Sequence, residues 1–150
     1  MNNKKYQFQD SLAYLVHRAS KTLRKYFNQE LKRNGYSITV EQFDVLVRLW
    51  DMDGQHQQQI AATLCKDKTT MTRLIKSIEA LHLVKRVTNK KEARQKIVYL
   101  TKSGKKIMKE LTSLAQEVLV TSQKGIAPAD KAICKDVLTH IHETISQQLN

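Results

Sequence analysis

The segment Cys65-Lys66-Asp67-Lys68-Thr69-Thr70-Met71-Thr72-Arg73-Leu74-Ile75-Lys76-Ser77-Ile78-Glu79-Ala80-Leu81 decides the fold. Asp67 is a good helix N-cap, with Thr70 at the N3 position. Met71, Leu74, Ile75, Ile78 and Leu81 recur at helical spacing and make one apolar face. The other face carries Lys68, Thr69, Thr72, Arg73 and Lys76. Just upstream, Gln55-His56-Gln57-Gln58-Gln59 runs into Ile60, Ala61 and Leu64, which predicts a short helix of about two turns beginning at His56. Two short helices joined by the break Cys65–Asp67, the second basic at its exposed start, form a helix-turn-helix signature.

Downstream the period changes. Val84–Thr88 and Ile97–Leu100 are β-rich runs, and Asn89–Lys96 between them is polar and cationic. That pattern predicts a hairpin, or wing. Its tip holds no apolar residue larger than Ala93, so it has nothing to pack against and projects. A projecting cationic tip suits the minor groove of DNA, where narrow A·T tracts concentrate negative potential.

Long helices flank this centre. Phe8, Leu12, Leu15, Val16, Ala19, Leu23, Tyr26, Phe27 and Leu31 fall at helical spacing, and Gly35 closes the helix where a left-handed residue is wanted. Thr39 with Gln42 reads as a capping box for a second helix, whose apolar face is Phe43, Leu46, Val47 and Trp50. Thr101 caps a fifth helix carrying Ile107, Leu111, Leu114, Val118 and Leu119; Pro128 opens a sixth with Ile133, Val137, Leu138, Ile141, Ile145 and Leu149. A first helix this long has too little domain to cover it. The economical assembly is a homodimer joined by its terminal helices through Phe8, Leu12, Leu15, Ile133, Val137, Ile141 and Ile145. The expected organisation is one domain over 1–150, with dimerisation helices at 1–36 and 102–150 and a DNA-binding lobe at 37–101. The fold class is mainly α with a small β-hairpin wing.

Charge follows the same division. The 150 residues carry a net +12, and residues 66–109 alone carry +11, which leaves the remainder near neutral. A basic block on a neutral body points to a polyanionic partner rather than to general solubility. One Pro and four Gly fit a largely helical chain. No apolar run reaches the roughly 18 residues of a membrane span, and no signal core follows Met1, so a cytoplasmic protein without a membrane partner is expected. Cys65 and Cys134 read as free thiols; Cys65 reads first as a small buried filler, with an oxidation-sensitive role as the alternative. His140 and His142, two apart on a helix, point to different faces and make no metal pair. No Gly-rich phosphate loop, nucleophile elbow or metal-ligand motif is present, which argues against an enzyme and gives neither catalytic nor cofactor residues.

With these parts placed, the chain resembles the MarR (multiple antibiotic resistance regulator) family of winged helix-turn-helix transcription factors. The resemblance runs through Gln59-Ile60-Ala61, Thr69–Ile75, Leu83-Val84-Lys85-Arg86 and Glu92-Ala93-Arg94 to Val98–Gly104. It implies a homodimeric repressor of a pseudo-palindromic double-stranded operator, relieved by a small anionic or phenolic effector. It places Lys68, Thr69, Thr70, Thr72, Arg73 and Lys76 toward the major groove. The wing cations are Lys90, Lys91, Arg94 and Lys96, with Arg94 in the minor groove steadied by Glu92. Arg73 serves a guanine or a phosphate, and Lys102, Lys105 and Lys106 are backbone contacts or plain solvated residues. The implied effector pocket offers Tyr14, His17 and Arg24 from the first helix. Three departures stand out. Asn89 and Glu92 replace Asp in the wing, His82 replaces the Gly that ends the recognition helix, and no cysteine lies between Ser11 and Leu23. The last argues against the peroxide-sensing branch. Other readings remain beside the regulator: a sequence-tolerant architectural DNA binder, a scaffold for an acidic partner, or a thiol-based redox regulator using Cys65.

Overall fold

The structure, a computed structural model, describes residues 7–88 and 96–149. The elements run α1 (Leu12–Arg33), α2 (Val40–Asp51), β1 (Gln55–His56), α3 (Gln57–Thr63), α4 (Lys68–Ala80), β2 (Val84–Thr88), β3 (Lys96–Leu100), α5 (Lys102–Ser122) and α6 (Pro128–Gln148). They fall into two compact units, residues 1–118 and 119–150.

In the first unit, apolar residues from α1 to α5 and from the sheet make one core. Leu31, Leu46, Leu49, Ile60, Met71, Ile75, Ile78, Val98, Met108 and Leu111 are fully buried within it. The sheet is antiparallel with strand order β1-β3-β2. β2 pairs with β3 from Val84 opposite Leu100 to Thr88 opposite Lys96. The hairpin expected from the sequence is therefore present, and Lys96 belongs to its second strand rather than to its tip.

A third strand was not expected. β1 is two residues long, too short for alternation to register, and pairs Gln55 with Val98 and His56 with Ile97. Gln55 is its anchor, buried and bonded by its own side chain. Its amide nitrogen donates to Arg48 O at 2.8 Å and to Met52 O, while its oxygen accepts from Arg48 Nε at 3.0 Å. A buried amide with its donors and acceptor used costs little.

Local signals set most helix boundaries. The Thr39/Gln42 capping box is present in both halves, Asp67 caps α4, and Pro128 sits in the first turn of α6. The first helix starts later than its apolar pattern. Phe8–Asp10 is a 3₁₀ turn, and Ser11 breaks the chain, its hydroxyl donating to Phe8 O and accepting from Tyr14 N–H. The predicted faces of two helices also shift. In α2 the buried residues are Val40, Val45, Leu46 and Leu49, while Trp50 is 39% exposed. This helix touches α1, α4 and β3, so more than one side of it is covered. In α4 Leu81 lies past the last turn and is largely exposed.

Three helices end alike. After α1, α3 and α4 a left-handed residue, respectively Gly35 (φ +80°), Cys65 (φ +50°) and His82 (φ +58°), redirects the chain. At each end two N–H groups return to the last turn: Gly35 and Tyr36 to Lys32 O and Leu31 O, Cys65 and Lys66 to Ala62 O and Ala61 O, and His82 and Leu83 to Glu79 O and Ile78 O. This is the Schellman arrangement, which favours glycine at the left-handed position because a Cβ there crowds the following carbonyl. Only the first of the three has one.

The second unit is the end of α5, a short turn and α6. None of the residues of α6 is buried. Ile133, Val137, Leu138, Ile141 and Ile145 recur along it at helical spacing, each 40% exposed or more.

The capping geometry predicts that His82→Gly and Cys65→Gly each stabilise the fold. Each relieves left-handed crowding of about 1–2 kcal/mol but loosens the unfolded chain, leaving a net gain of about 0.5–1 kcal/mol. Denaturant melts of the two single variants and the double check this, and the gains should add because the sites have no common partner.

Candidate nucleic-acid interface

The exposed face of α4 begins at its cap. The Asp67 carboxylate accepts from Thr70 N–H at 2.8 Å and from the Thr70 hydroxyl at 2.6 Å. Those bonds, the hydroxyl's foremost, hold the carboxyl below its ordinary range. Beyond the cap, Lys68, Thr69, Thr72, Arg73 and Lys76 line an open concave surface of about 610 Å³ without an acid among them. Met71, Leu74, Ile75 and Ile78 turn the opposite way into the core, which fixes the rotation of the helix about its axis. Five of the six residues expected on this helix thus share one surface. The sixth, Thr70, is half-buried with its hydroxyl committed to the cap.

A second concavity of about 470 Å³ opens beside it, lined among others by Gln57, Lys66, Lys68, Thr72, Arg86 and Lys96. It too is lined by no carboxylate among the described residues. Arg86 projects into it from β2 while its guanidinium is tied to Glu79 of α4, through Nε at 3.0 Å and through a second, shorter bond. That bond to Arg86 outweighs burial and holds the Glu79 carboxyl below its usual range. Arg86 and Gln57 were missed as site residues in the sequence. A glutamine in the run 57–59 looks like any solvated residue. Only the fold brings Gln57 to α4, where its amide donates to the Thr72 hydroxyl at 2.6 Å.

The remaining candidates lie elsewhere. Lys96 is on β3; Lys90, Lys91, Glu92 and Arg94 fall outside the described residues. On α1, Tyr14 packs against Phe8 with ring centroids 5.0 Å apart and carries the Arg18 guanidinium 5.7 Å from its ring centre. His17 is exposed. Arg24 bridges to α2, with Asp44 at 2.9 Å and Glu41 at 3.3 Å. Burial pushes the Asp44 carboxyl above its usual range despite Arg24. None of Tyr14, His17 and Arg24 lines the cationic cavity. Phe8, Leu12, Leu15, Ile133, Val137, Ile141 and Ile145, expected at a dimer interface, are all exposed, between 38% and 61%. Cys65 is exposed rather than a buried filler, because its left-handed turn leaves the side chain outside the core. No helix among the described residues is long and apolar enough to cross a membrane.

Comparison with known proteins agrees with this geometry. The family profile described as transcriptional regulator SarA/Rot matches residues 25–111, from within α1 to within α5. The chain is similar to the HTH-type transcriptional regulator MgrA of Staphylococcus aureus, 25% identical over 117 residues, covering 78% of this chain and 79% of that protein. Among solved structures it is similar to a MarR transcriptional regulator from Methanosarcina mazei Go1 (TM-score 0.82, 23% identity, covering 91% of this chain and 96% of the other). It is also similar to BpsR of Bordetella bronchiseptica, whose DNA binding is regulated by 6-hydroxynicotinic acid (TM-score 0.80, 22% identity, covering 92% and 98%). At these identities the structural likenesses establish the winged-helix fold.

The Arg86–Glu79 pair carries a pH signature. The folded pKa of Glu79 is depressed, so its contribution is present above the unfolded value of about 4.3 and is lost as pH falls through the lower folded value. The stability difference between wild type and Glu79→Gln should therefore be flat from pH 7 to about 5 and shrink below about 4. Urea melts at stepped pH measure it; a difference independent of pH would remove the ion pair from the account.

Proposed function

The chain belongs to the SarA/Rot family of transcriptional regulators, and from that membership we propose that it works as a homodimeric, sequence-specific repressor. Its target is a pseudo-palindromic operator, released when a small effector binds. One observation carries the DNA-binding part of this reading: among the described residues, the outward face of α4 and the cavity beside it are lined by six cations, Lys66, Lys68, Arg73, Lys76, Arg86 and Lys96, and by no acid. Surfaces of this kind neutralise phosphates, and a helix presented with its N-terminal half outward is the shape that a major groove admits.

In this reading Lys68 and Lys76 hold phosphates and set the register. Arg73 and Thr72 reach base edges, and the wing cations Lys90, Lys91, Arg94 and Lys96 serve the adjacent minor groove, with Glu92 steadying Arg94. Two copies place two α4 helices on half-sites one turn apart, about 34–36 Å. What supports the dimer is the set of uncovered apolar residues on α1 and, separately, on α6, since burying each large aliphatic side chain contributes about 1.5–3 kcal/mol. An effector that changes the spacing of the two helices changes operator affinity without touching DNA. The effector class is a small anion or phenol, as for BpsR, with Tyr14 and His17 as its first contacts. At Arg24 it has to displace Asp44 or Glu41.

The test is a salt titration by fluorescence anisotropy, comparing DNA from upstream of the protein's own coding region with a scrambled duplex. The regulator reading expects the native fragment to bind about a thousandfold more tightly or better. The log-affinity should fall with log salt by about 0.9 for each phosphate neutralised. Equal affinity and slope for both duplexes would instead describe an architectural binder, and binding to neither would assign the cations to another partner. Sedimentation of the same sample should give twice the chain mass at micromolar concentration.

A further inference from the structure

Thr72 stands where the two concave surfaces meet; it and Lys68 line both. A threonine hydroxyl both donates and accepts, so alone it reads base edges ambiguously. Here the protein takes up that ambiguity. Thr72 Oγ1 lies 2.8 Å from Lys68 O, a carbonyl oxygen that only accepts, so the hydroxyl proton points there. The Gln57 amide lies 2.6 Å from the same Oγ1. With the proton already directed at Lys68, the group facing Oγ1 has to be a donor, and the Gln57 amide is oriented with Nε2 toward it. One direction on Oγ1 remains, and a lone pair occupies it.

We propose that Gln57 is a specificity-determining positioning residue: by donating to Thr72 Oγ1 it holds that hydroxyl as an acceptor toward DNA. The base facing Thr72 is then read for an exocyclic amino group, adenine N6 or cytosine N4, in preference to the keto oxygen of thymine or guanine. The proposal rests on the reading of α4 as the helix that enters the major groove. In that groove the amino groups of adenine and cytosine are the donors, and O4 of thymine and O6 of guanine are acceptors. A keto oxygen opposite Thr72 meets a lone pair unless the hydroxyl gives up Lys68 O. Gln57 occupies the other protein-side position, so no third protein partner settles the hydroxyl once it turns. Gln57 belongs to α3 and needs no DNA contact of its own, which separates it from the α4 residues that touch the operator.

The experiment is sequence selection from a random duplex pool by the full-length chain, as wild type and as Gln57→Leu, Gln57→Asn, Thr72→Val, Thr72→Ser and the double Gln57→Leu/Thr72→Val. The wild type should show one position in each half-site where A or C is favoured over G or T by about three- to tenfold, the scale of a single hydrogen bond. Gln57→Leu and Gln57→Asn should flatten that position alone and leave the preferences at every other position of the half-site unchanged. Thr72→Val should flatten the same position, the double should flatten it no further, and Thr72→Ser should keep the preference. A glutamine that merely packs would lower affinity for every sequence alike and leave all preferences unchanged, which overturns the proposal. So does a wild-type preference for G or T at the flattened position. A wild type that selects no motif at all overturns the sequence-specific reading itself, an outcome distinct from a wild-type motif that the Gln57 variants reproduce.

Discussion

The backbone carbonyl of Leu83 is the point on which the winged-helix part of the molecule closes. It accepts from Thr101 N–H at 3.0 Å and from the Thr101 hydroxyl at 3.2 Å, and the same hydroxyl reaches His82 O at 2.7 Å. Thr101 in turn caps α5, accepting from Gly104 N–H at 3.0 Å. A Cβ at Gly104 would lie 2.1 Å from Leu83 O, a contact that backbone cannot yield to, so only glycine lets α5 start there. The end of α4, the root of β2, the end of β3 and the start of α5 are thereby fixed at one place. Any tilt of α5 is felt at the base of the wing and at the end of α4.

Asp53 makes a second closure nearby. Its carboxylate accepts from Leu100 N–H at 2.8 Å and pairs with Lys105 at 2.9 Å. Burial raises this carboxyl, but the bonds from Leu100, Lys105 and Gly54 outweigh it and hold it below its usual range. One acid thus joins the loop after α2 to β3 and α5. Among the described residues, Lys68, Arg73 and Lys76 of α4 have no such partner, whereas Arg86 of β2 is held by Glu79. Among the described residues, the acids near the basic surface serve caps and joints, as Asp67 and Asp53 do, or hold Arg86, as Glu79 does, and the other cations there are left without a paired acid.

The uncovered apolar residues have the opposite character. The second half of α1 is anchored in the core by Phe27 and Leu31, while Leu12, Leu15 and Val16 in its first half are exposed. The same helix is a core element at one end and an exposed apolar surface at the other. In α6 the exposure runs the whole length. Contiguous apolar surface of this kind marks a contact site rather than ordinary solvated surface.

Much was legible in the sequence because it depends on neighbours a few residues apart. Caps at Thr39, Asp67 and Thr101, the turn at Gly35, the period of α4 and the change to a β-rich run at Val84 are all local. The resemblance through residues 59–104 then ordered those parts into a winged helix. Where the reading failed, the deciding interaction was distant or idiosyncratic. β1 exists because Gln55 is bonded to Arg48 and paired with Val98, and α2 turns Val45 and Leu49 inward because three elements surround it. Cys65 adopts a left-handed turn although no residue beside it announces one.

The sequence by itself determined the helices, the wing, the family and the placing of nearly all the net charge in residues 66–109, because periodicity, capping and composition act along the chain. Only the tertiary structure decided which polar side chains stand together. Gln57 meets Thr72 across fifteen residues, and Arg24 is taken up by Glu41 and Asp44 at the junction of α1 and α2. Hydrogen bonds and ion pairs act over about 3 Å in space. Residues far apart in sequence come within that range only after the core has fixed the helices that carry them.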